Sequence, residues 1–460
     1  MKFEFEKLGL LDKAEIEIAD LTVICGENNT GKTYSTYAIY GFLRVWRKIL
    51  QGIIAAEFGK EILSQDGHQF DLEKHFSGKI NDYLTRVASE YKDLLSRVFA
   101  TRKNAFSETG VFVSVREKQD FLGKPYQRRV QANPAGKVLA IIKKEANSSV
   151  LEVLAADEDL LRDSFGGLSY FIADAIAEIV FKPHLPRAHI ASAERTGASI
   201  FRKELDIART RMLKALSELD SRELKNPFAL FDKIESDYAW PVEDNVEFVR
   251  QLEEIDKQES ELTKAVPEIL ASFNNVIGGS YRVIRDFGLV FQARGGGKQR
   301  FTMNEASSCV RALLDIGFYL RCKAKPGDLF IIDEPELNLH PKNQRMFARL
   351  LARLVNAGVK VFITTHSDYL VKEFNTLIML NQKTEHTEKV RAHYEYEEAE
   401  LLNPDSIRLY MTKEKKKGRG RFVLAPAKIH HDCGIEVETF DDTIENINKI
   451  QNDILYGGSI

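Results

Sequence analysis

The first 25 residues move from alternation to continuity. Lys2 to Glu6 and Glu15 to Ile18 set apolar and charged residues in turn, the period of half-buried strands. Leu21-Thr22-Val23-Ile24-Cys25 is instead a continuous run that ends at a glycine. A run without a polar face predicts a central strand of a sheet covered on both sides. A helix is expected from about Lys32 through Tyr34, Tyr37, Tyr40 and Phe42. From about 45 to 180 the apolar spacing becomes three and four, in Arg44 to Lys48, Ile80 to Phe99 and Asp159 to Phe181, which predicts helices. Between them, Gly110 to Val115 and Val138 to Ile142 read as strands of a small hairpin or meander.

A short apolar piece, His189 to Ala193, ends in the charged turn Glu194-Arg195-Thr196-Gly197. Residues 203 to 275 read as long, highly charged helices, with Asn226-Pro227 and Trp240-Pro241 as breaks, so two helical arms joined by a turn are expected. Strands resume at Tyr281 to Arg285 and Gly288 to Gln292, and Gly295-Gly296-Gly297 supplies a turn. From about 305 to 380 strand and helix alternate, the pattern of a parallel α/β sheet.

Composition narrows the classes. The 460 residues exceed what one core usually fills, so several domains, or one domain with large insertions, are expected. With 44% hydrophobic and 29% charged residues, a wholly disordered chain is excluded. The net charge of −3 excludes a polycation made to coat nucleic acid, so any such binding needs a local patch. Cys25, Cys309, Cys322 and Cys433 show no C-x-x-C spacing, which argues against a zinc knuckle or a disulfide framework. Met1 to Glu6 lacks the apolar core of a signal peptide, and no uncharged apolar run reaches the roughly 18 residues of a membrane span. A cytoplasmic protein without membrane contact is expected.

Three strand ends carry the chemistry. Gly26-Glu27-Asn28-Asn29-Thr30-Gly31-Lys32-Thr33 fits G-x-x-x-x-G-K-[ST] between a buried strand and a helix. Glycines let backbone N–H groups close around phosphate oxygens, Lys32 neutralises the β/γ charge, and Thr33 is placed to ligate Mg²⁺. Leu329 to Ile332 is a second apolar strand, ending in Asp333 and Glu334. There one carboxylate can hold Mg²⁺ and its neighbour can polarise a water in line with the γ-phosphorus; Asp333 is assigned to the metal and Glu334 to the base. A third strand, Val361 to Thr365, ends in His366, which can either hydrogen-bond a γ-phosphate and hold Glu334 or serve the strand end structurally.

Together these pieces resemble an ABC-type ATPase head of the overcoming-lysogenization-defect (OLD-like) AAA class, the group that includes ATPases of bacterial antiphage systems such as Septu and PARIS. The matching segments are Gly26 to Thr33, Ser192 to Gly197, Glu305 to Cys309, Ile331 to Pro341 with its Asp-Glu-Pro-Glu-x-x-Leu-His-Pro run, and Thr364 to Ser367. The run from Asp333 to Pro341 is the most specific. The resemblance implies an α/β P-loop NTPase fold, an ABC-ATPase-like head with large helical insertions that binds ATP and Mg²⁺. It further implies a head-to-tail dimer in which the Walker loop of one head and the signature segment of the other enclose ATP. In that segment Ser307 and Ser308 either grip a γ-phosphate in trans or only cap the helix expected over Val310 to Leu320; Cys309 stands where a glycine is usual. Glu194 and Arg195 fall where this class carries an acidic-arginine turn near the nucleotide, although a plain surface turn fits them equally. No glutamine matches the ABC Q-loop.

The chain divides on this reading into an N-terminal lobe (1–44), a helical insertion (45–184), a strand and turn (185–200), a charged arm (201–279), a C-terminal lobe (280–400) and an extension (401–460). Lys413 to Arg421 concentrates positive charge, as a solvated hairpin loop or as a nucleic-acid contact. His430-His431-Asp432-Cys433 is read as structural. The resemblance implies an antiphage switch, a homodimer or higher oligomer controlling a separately encoded nuclease or toxin and answering a phage-derived trigger. The stretch after residue 381 is too short for an appended TOPRIM-type nuclease. The alternative is a DNA-repair or recombination ATPase that binds DNA directly, and a transporter ATPase is disfavoured by a signature without glycines.

Overall fold

The computed structural model describes residues 1–64, 69–117, 121–131, 138–155, 167–202, 238–285, 287–295, 299–415, 421–432, 434–435 and 438–456. Asn226-Pro227 and most of the first charged arm lie outside the described residues.

Leu21–Cys25, the run apolar on both faces, is buried at every position and lies inside a nine-stranded sheet. Across that sheet the strands run Gly110–Ser114, Lys2–Leu8, Leu11–Glu17, Phe422–Pro426, Ile407–Glu414, Leu21–Cys25, Lys360–Thr365, Leu329–Asp333 and Ala188–Ala191. The last five are mutually parallel. Their register sets Thr365 beside Cys25 and Thr364 beside Asp333, so three carboxyl ends meet at one edge. Alternating side chains feed two cores. Ile24, Ile331 and Phe362 pack on the side of the helix Lys32–Ser64, and Val23, Ile332 and Ile363 pack on the side of Pro341–Asn356 and Asp368–Leu380.

Several elements differ from the sequence pattern. Arg44 to Lys48 is the middle of one 33-residue helix, Lys32–Ser64, which packs on Ile80–Lys92 and Gly167–Ile176. Gly41 permits the first contact, because a Cβ there would lie 2.6 Å from the Tyr91 hydroxyl, which donates to the Ala38 carbonyl. The expected hairpin of residues 110–115 and 138–142 does not form. Gly110–Ser114 pairs with Lys2–Leu8 at the edge of the main sheet, whereas Val138–Lys144 belongs to a separate four-stranded sheet with Gln69–Asp71, Tyr126–Gln131 and Val150–Ala155. Local alternation predicts a strand but not its partner, because pairing is decided by contacts distant in sequence.

Two strands of the stretch expected as an extension, Ile407–Glu414 and Phe422–Pro426, are part of the main sheet. Ile407–Glu414 pairs in parallel with Leu21–Cys25, and Phe422–Pro426 joins it to Leu11–Glu17. Lys413 to Arg421 therefore spans a hairpin connection, with 416–420 outside the described residues; Lys415 and Arg421 pair with Asp12. Near the signature, a three-stranded antiparallel sheet of Gly279–Ile284, Gly288–Ala293 and Arg300–Thr302 precedes the helical stretch. The single helix expected over Val310 to Leu320 is two, Ser308–Ala312 and Leu314–Cys322, broken at Leu313. Among the described residues, no helix is long and apolar enough to cross a membrane.

Candidate nucleotide site

Backbone conformation shapes the loop after Leu21–Cys25. Asn29 has φ of 62° and Gly31 has φ of 98°, values that turn successive N–H groups toward one concavity. At Gly26 a Cβ would lie 1.8 Å from the Thr412 hydroxyl on the adjacent strand, so only glycine lets the strand end pass beneath Thr412. Glu27, Asn28 and Asn29 are exposed, and Thr30 is buried with its hydroxyl donating to the Glu27 carbonyl at 2.7 Å. Lys32 Nζ folds back into the loop, donating to the Gly26 and Glu27 carbonyls at 2.9 and 2.7 Å. Burial pushes its pKa down, opposed by Glu334, Asp333 and Glu336. Carbonyls alone are weak counterparts for an ammonium, so an incoming polyphosphate offers Lys32 better partners than its own loop does.

Asp333 ends the Leu329–Asp333 strand and is fully buried. Its Oδ1 accepts from the Thr364 hydroxyl on the next strand, while Oδ2 has no hydrogen-bond partner. The Thr33 side chain lies close enough to favour the charged carboxylate. Burial nevertheless pushes the Asp333 carboxyl up to about 6, with Glu334 and Glu194 adding to the shift. A buried carboxylate oxygen without a donor, beside a threonine hydroxyl, is the donor set a hard divalent cation takes. The residues present thus fit Mg²⁺.

Glu334 leaves the strand in the left-handed region, φ 53°, with its N–H donating to the carbonyl (3.2 Å) and hydroxyl (3.1 Å) of Thr364. That turn directs a half-exposed carboxylate away from the sheet. His366 Nδ1 lies 3.7 Å from Glu334 and 3.4 Å from Glu336, too far from the first for a hydrogen bond. Glu336 is the anchor here: its Oε1 accepts from the His366 N–H and the Thr365 hydroxyl, each at 2.8 Å. It stands in the Asp-Glu-Pro-Glu run, yet sequence alone gave it no role. The Leu-His-Pro ending of that run has a plain physical reason. Leu339 is buried, His340 caps the next helix through Nδ1, and Pro341 occupies its first turn.

The acidic-arginine turn splits in two. Arg195 is fully buried and donates to four carbonyls, those of Ala312 (2.9 Å), Ser192 (3.0 Å), Asp333 (2.7 Å) and Glu334 (2.7 Å). It ties the signature helix to the acidic strand end and is no surface turn. Glu194 is exposed, accepts from the Tyr37 hydroxyl at 2.8 Å and adds charge next to Asp333. The strand before it, Ala188–Ala191, neighbours Leu329–Asp333, which brings Glu194 close to the acidic strand end. The signal lay in strand order, which the sequence does not display.

Ser307 and Ser308 are exposed. Ser307 Oγ accepts from the Val310 N–H at 3.4 Å, the capping contact. Cys309 is half-buried, its thiol beside Asn343 and raised in pKa by burial, so its bulk turns inward from the segment's surface.

Comparison with solved structures finds an SMC head bound to the C-terminal winged-helix domain of ScpA, at 13% identity over 93% of this chain and 97% of that one, with a TM-score of 0.34. It also finds the SMC head domain from Thermotoga maritima (10% identity, 93% and 98% covered, TM-score 0.29). A third is the Pyrococcus furiosus Smc head with an extended coiled coil, bound to the C-terminal domain of ScpA (13% identity, 98% of both chains, TM-score 0.32). No curated protein matches the chain. The model of the AAA ATPase domain family matches residues 1–371, from the first strand through the phosphate loop, the acidic strand end and His366. With four-fifths of its length matched and a phosphate loop facing a buried aspartate across a parallel sheet, this chain is an α/β P-loop ATPase head and belongs to the AAA ATPase domain family.

Proposed function

We propose that the protein is an ATP-driven switch in which hydrolysis at Glu334 resets a dimer closed by ATP. The unpartnered Asp333 Oδ2 beside Thr33 carries the reading, because a buried carboxylate oxygen with no donor costs stability unless an ion completes it. Gly26 to Thr33 hold the phosphates through N–H groups, and Lys32 leaves the Gly26 and Glu27 carbonyls to meet the β/γ oxygens. Asp333 and Thr33 hold Mg²⁺, which when bound neutralises phosphate charge during transfer. Glu334 orients and deprotonates the attacking water, and His366, fixed by Glu336, stands beside it as a polar donor to the γ-phosphate.

Ser307 and Ser308 face outward and complete the site of a second head, so each head lacks a γ-phosphate contact until ATP brings its partner. The resemblance of the Asp333 to Pro341 run supports placing this switch in antiphage defence, upstream of a separately encoded nuclease or toxin. Direct DNA binding is the second reading. It rests on Arg282 and Arg300, exposed on the three-stranded sheet that leads into the signature segment, and on Arg285, exposed in the turn after its first strand.

Lys32→Ala removes the loop's only cation and should lower ATP affinity at least about a hundredfold in a titration, given the worth of charge-assisted contacts to phosphate. Undiminished affinity would sink the phosphate-loop assignment. ATP turnover that rises with added duplex DNA and falls steeply with salt would favour the second reading; indifference to DNA favours the first.

A further inference from the structure

We infer that Asn245 is a positioning residue for hydrolysis: its buried amide holds the turn of Ser192 to Arg195 and, through Arg195, the backbone of Asp333 and Glu334. The inference rests on the reading of Glu334 as the base. Ala188–Ala191 is the outermost strand of the main sheet, so backbone groups on its outer side have no strand to meet. Such groups, once buried, need another partner. Asn245, on the helix Trp240–Arg250 and 1% exposed, meets two of them. Its Oδ1 accepts from the Ser192 N–H at 2.5 Å, and its Nδ2 donates to the Ile190 carbonyl at 2.9 Å. A carboxamide carries the same donor and acceptor as a peptide group, and here it stands where a further strand would have placed one.

The other Nδ2 proton goes to Asp315 Oδ2 at 3.1 Å, on the helix Leu314–Cys322 behind the signature segment. Asp315 is fully buried, and its Oδ1 accepts from the Ile316 N–H at 2.8 Å. From Ser192 the bonds run on. Its carbonyl accepts from Arg195, whose guanidinium also donates to the carbonyls of Asp333, Glu334 and Ala312, the last only three residues before Asp315. Asn245, Ser192, Arg195 and the stretch from Ala312 to Asp315 thus close a buried ring, and in a medium of low dielectric such a ring resists displacement of any one member. Glu334 leaves its strand at φ 53°, so the direction of its side chain follows a backbone whose carbonyl this ring holds. The bonds of Asn245 go to Ile190, Ser192 and Asp315, none of them in the phosphate loop.

The test is steady-state ATP turnover of the full chain beside its thermal unfolding. Asn245→Leu keeps the volume of the side chain and removes all three bonds; its kcat should fall at least about tenfold with KM within about twofold, as for a shifted base over an intact binding loop. Asn245→Asp keeps the acceptor for Ser192 and should lose less, yet still turn over more slowly than the native chain; it carries the test if Asn245→Leu does not fold. Asp244→Asn, on the same helix, weakens the bonds to Tyr40 and Arg44 of the phosphate-loop helix and should leave kcat near native whatever it does to the unfolding temperature. Native kcat in the folded Asn245 variants, a KM that rises in step with the loss, an Asn245→Asp as slow as Asn245→Leu, or an equal fall in Asp244→Asn would overturn the inference. Failure of the base reading shows separately, as native turnover in Glu334→Gln.

Discussion

At the scale of single residues the site is governed by what burial does to charge. The Asp333 carboxyl, pushed up to about 6 by burial, binds a proton more readily folded than unfolded. Its protonated form therefore stabilises the empty head below the unfolded carboxylate's value, and that stabilisation is lost as pH rises through about 6. Magnesium needs the charged form, so the trend in binding is opposite: Mg²⁺–ATP affinity should fall toward about tenfold per unit as pH drops below this value. Titrations from pH 7.5 to 5 check this, and a flat profile would show that Asp333 is not a ligand. Arg195 gives a second prediction. Arg195→Met removes the side-chain donor from the carbonyls of Ala312, Asp333 and Glu334, while that of Ser192 keeps the backbone N–H of position 195, and should cost at least about 3 kcal/mol in denaturant unfolding, whereas Arg195→Lys should recover part of it. An Arg195→Met head as stable as the native one would contradict the clamp. Gly26 to Thr33, Asp333, Glu334 and His366 were legible in the sequence because phosphate and metal chemistry demand those types at strand ends. Arg195, Glu194 and Glu336 were not, since their partners, Ser192 apart, lie 29 to 157 positions away.

At the scale of elements, register does most of the assembly. The parallel order of Ile407–Glu414, Leu21–Cys25, Lys360–Thr365, Leu329–Asp333 and Ala188–Ala191 brings the phosphate loop, His366, the two acids and Glu194 to one edge. Continuous apolar runs made the three central strands readable, and the strand–helix alternation after 305 made a parallel sheet readable. The role of residues beyond 400 was not, because a strand that completes a sheet from the far end of the chain leaves no local mark of where it pairs. Ile407, Leu409, Tyr410 and Met411 are buried against the loop strand, and Thr412 sits over Gly26. A chain ending at residue 400 should therefore lose the cooperative thermal unfolding of the full chain. A cooperative transition with ATP binding in that truncation would show the last strands to be dispensable.

At the scale of the molecule, the proposed switch makes one head an incomplete enzyme: phosphate loop, acids and histidine lie at one edge, and Ser307 and Ser308 are exposed. The net charge of −3 suits a protein that meets copies of itself and protein partners more than one that coats DNA. A sequence can show the parts of such a cycle, but the closing of two heads is a property of the pair. Glu334→Gln keeps the shape of the side chain, removes the base and leaves the phosphate loop and Asp333 in place. Measured together, phosphate release and ATP-dependent change in molar mass of that variant test the account most directly. It predicts ATP binding close to native, turnover lowered at least about a hundredfold, as for loss of a positioned base, and a larger species that accumulates with ATP and disperses when ATP is removed. Native turnover in Glu334→Gln, or no change in mass on adding ATP, would contradict it.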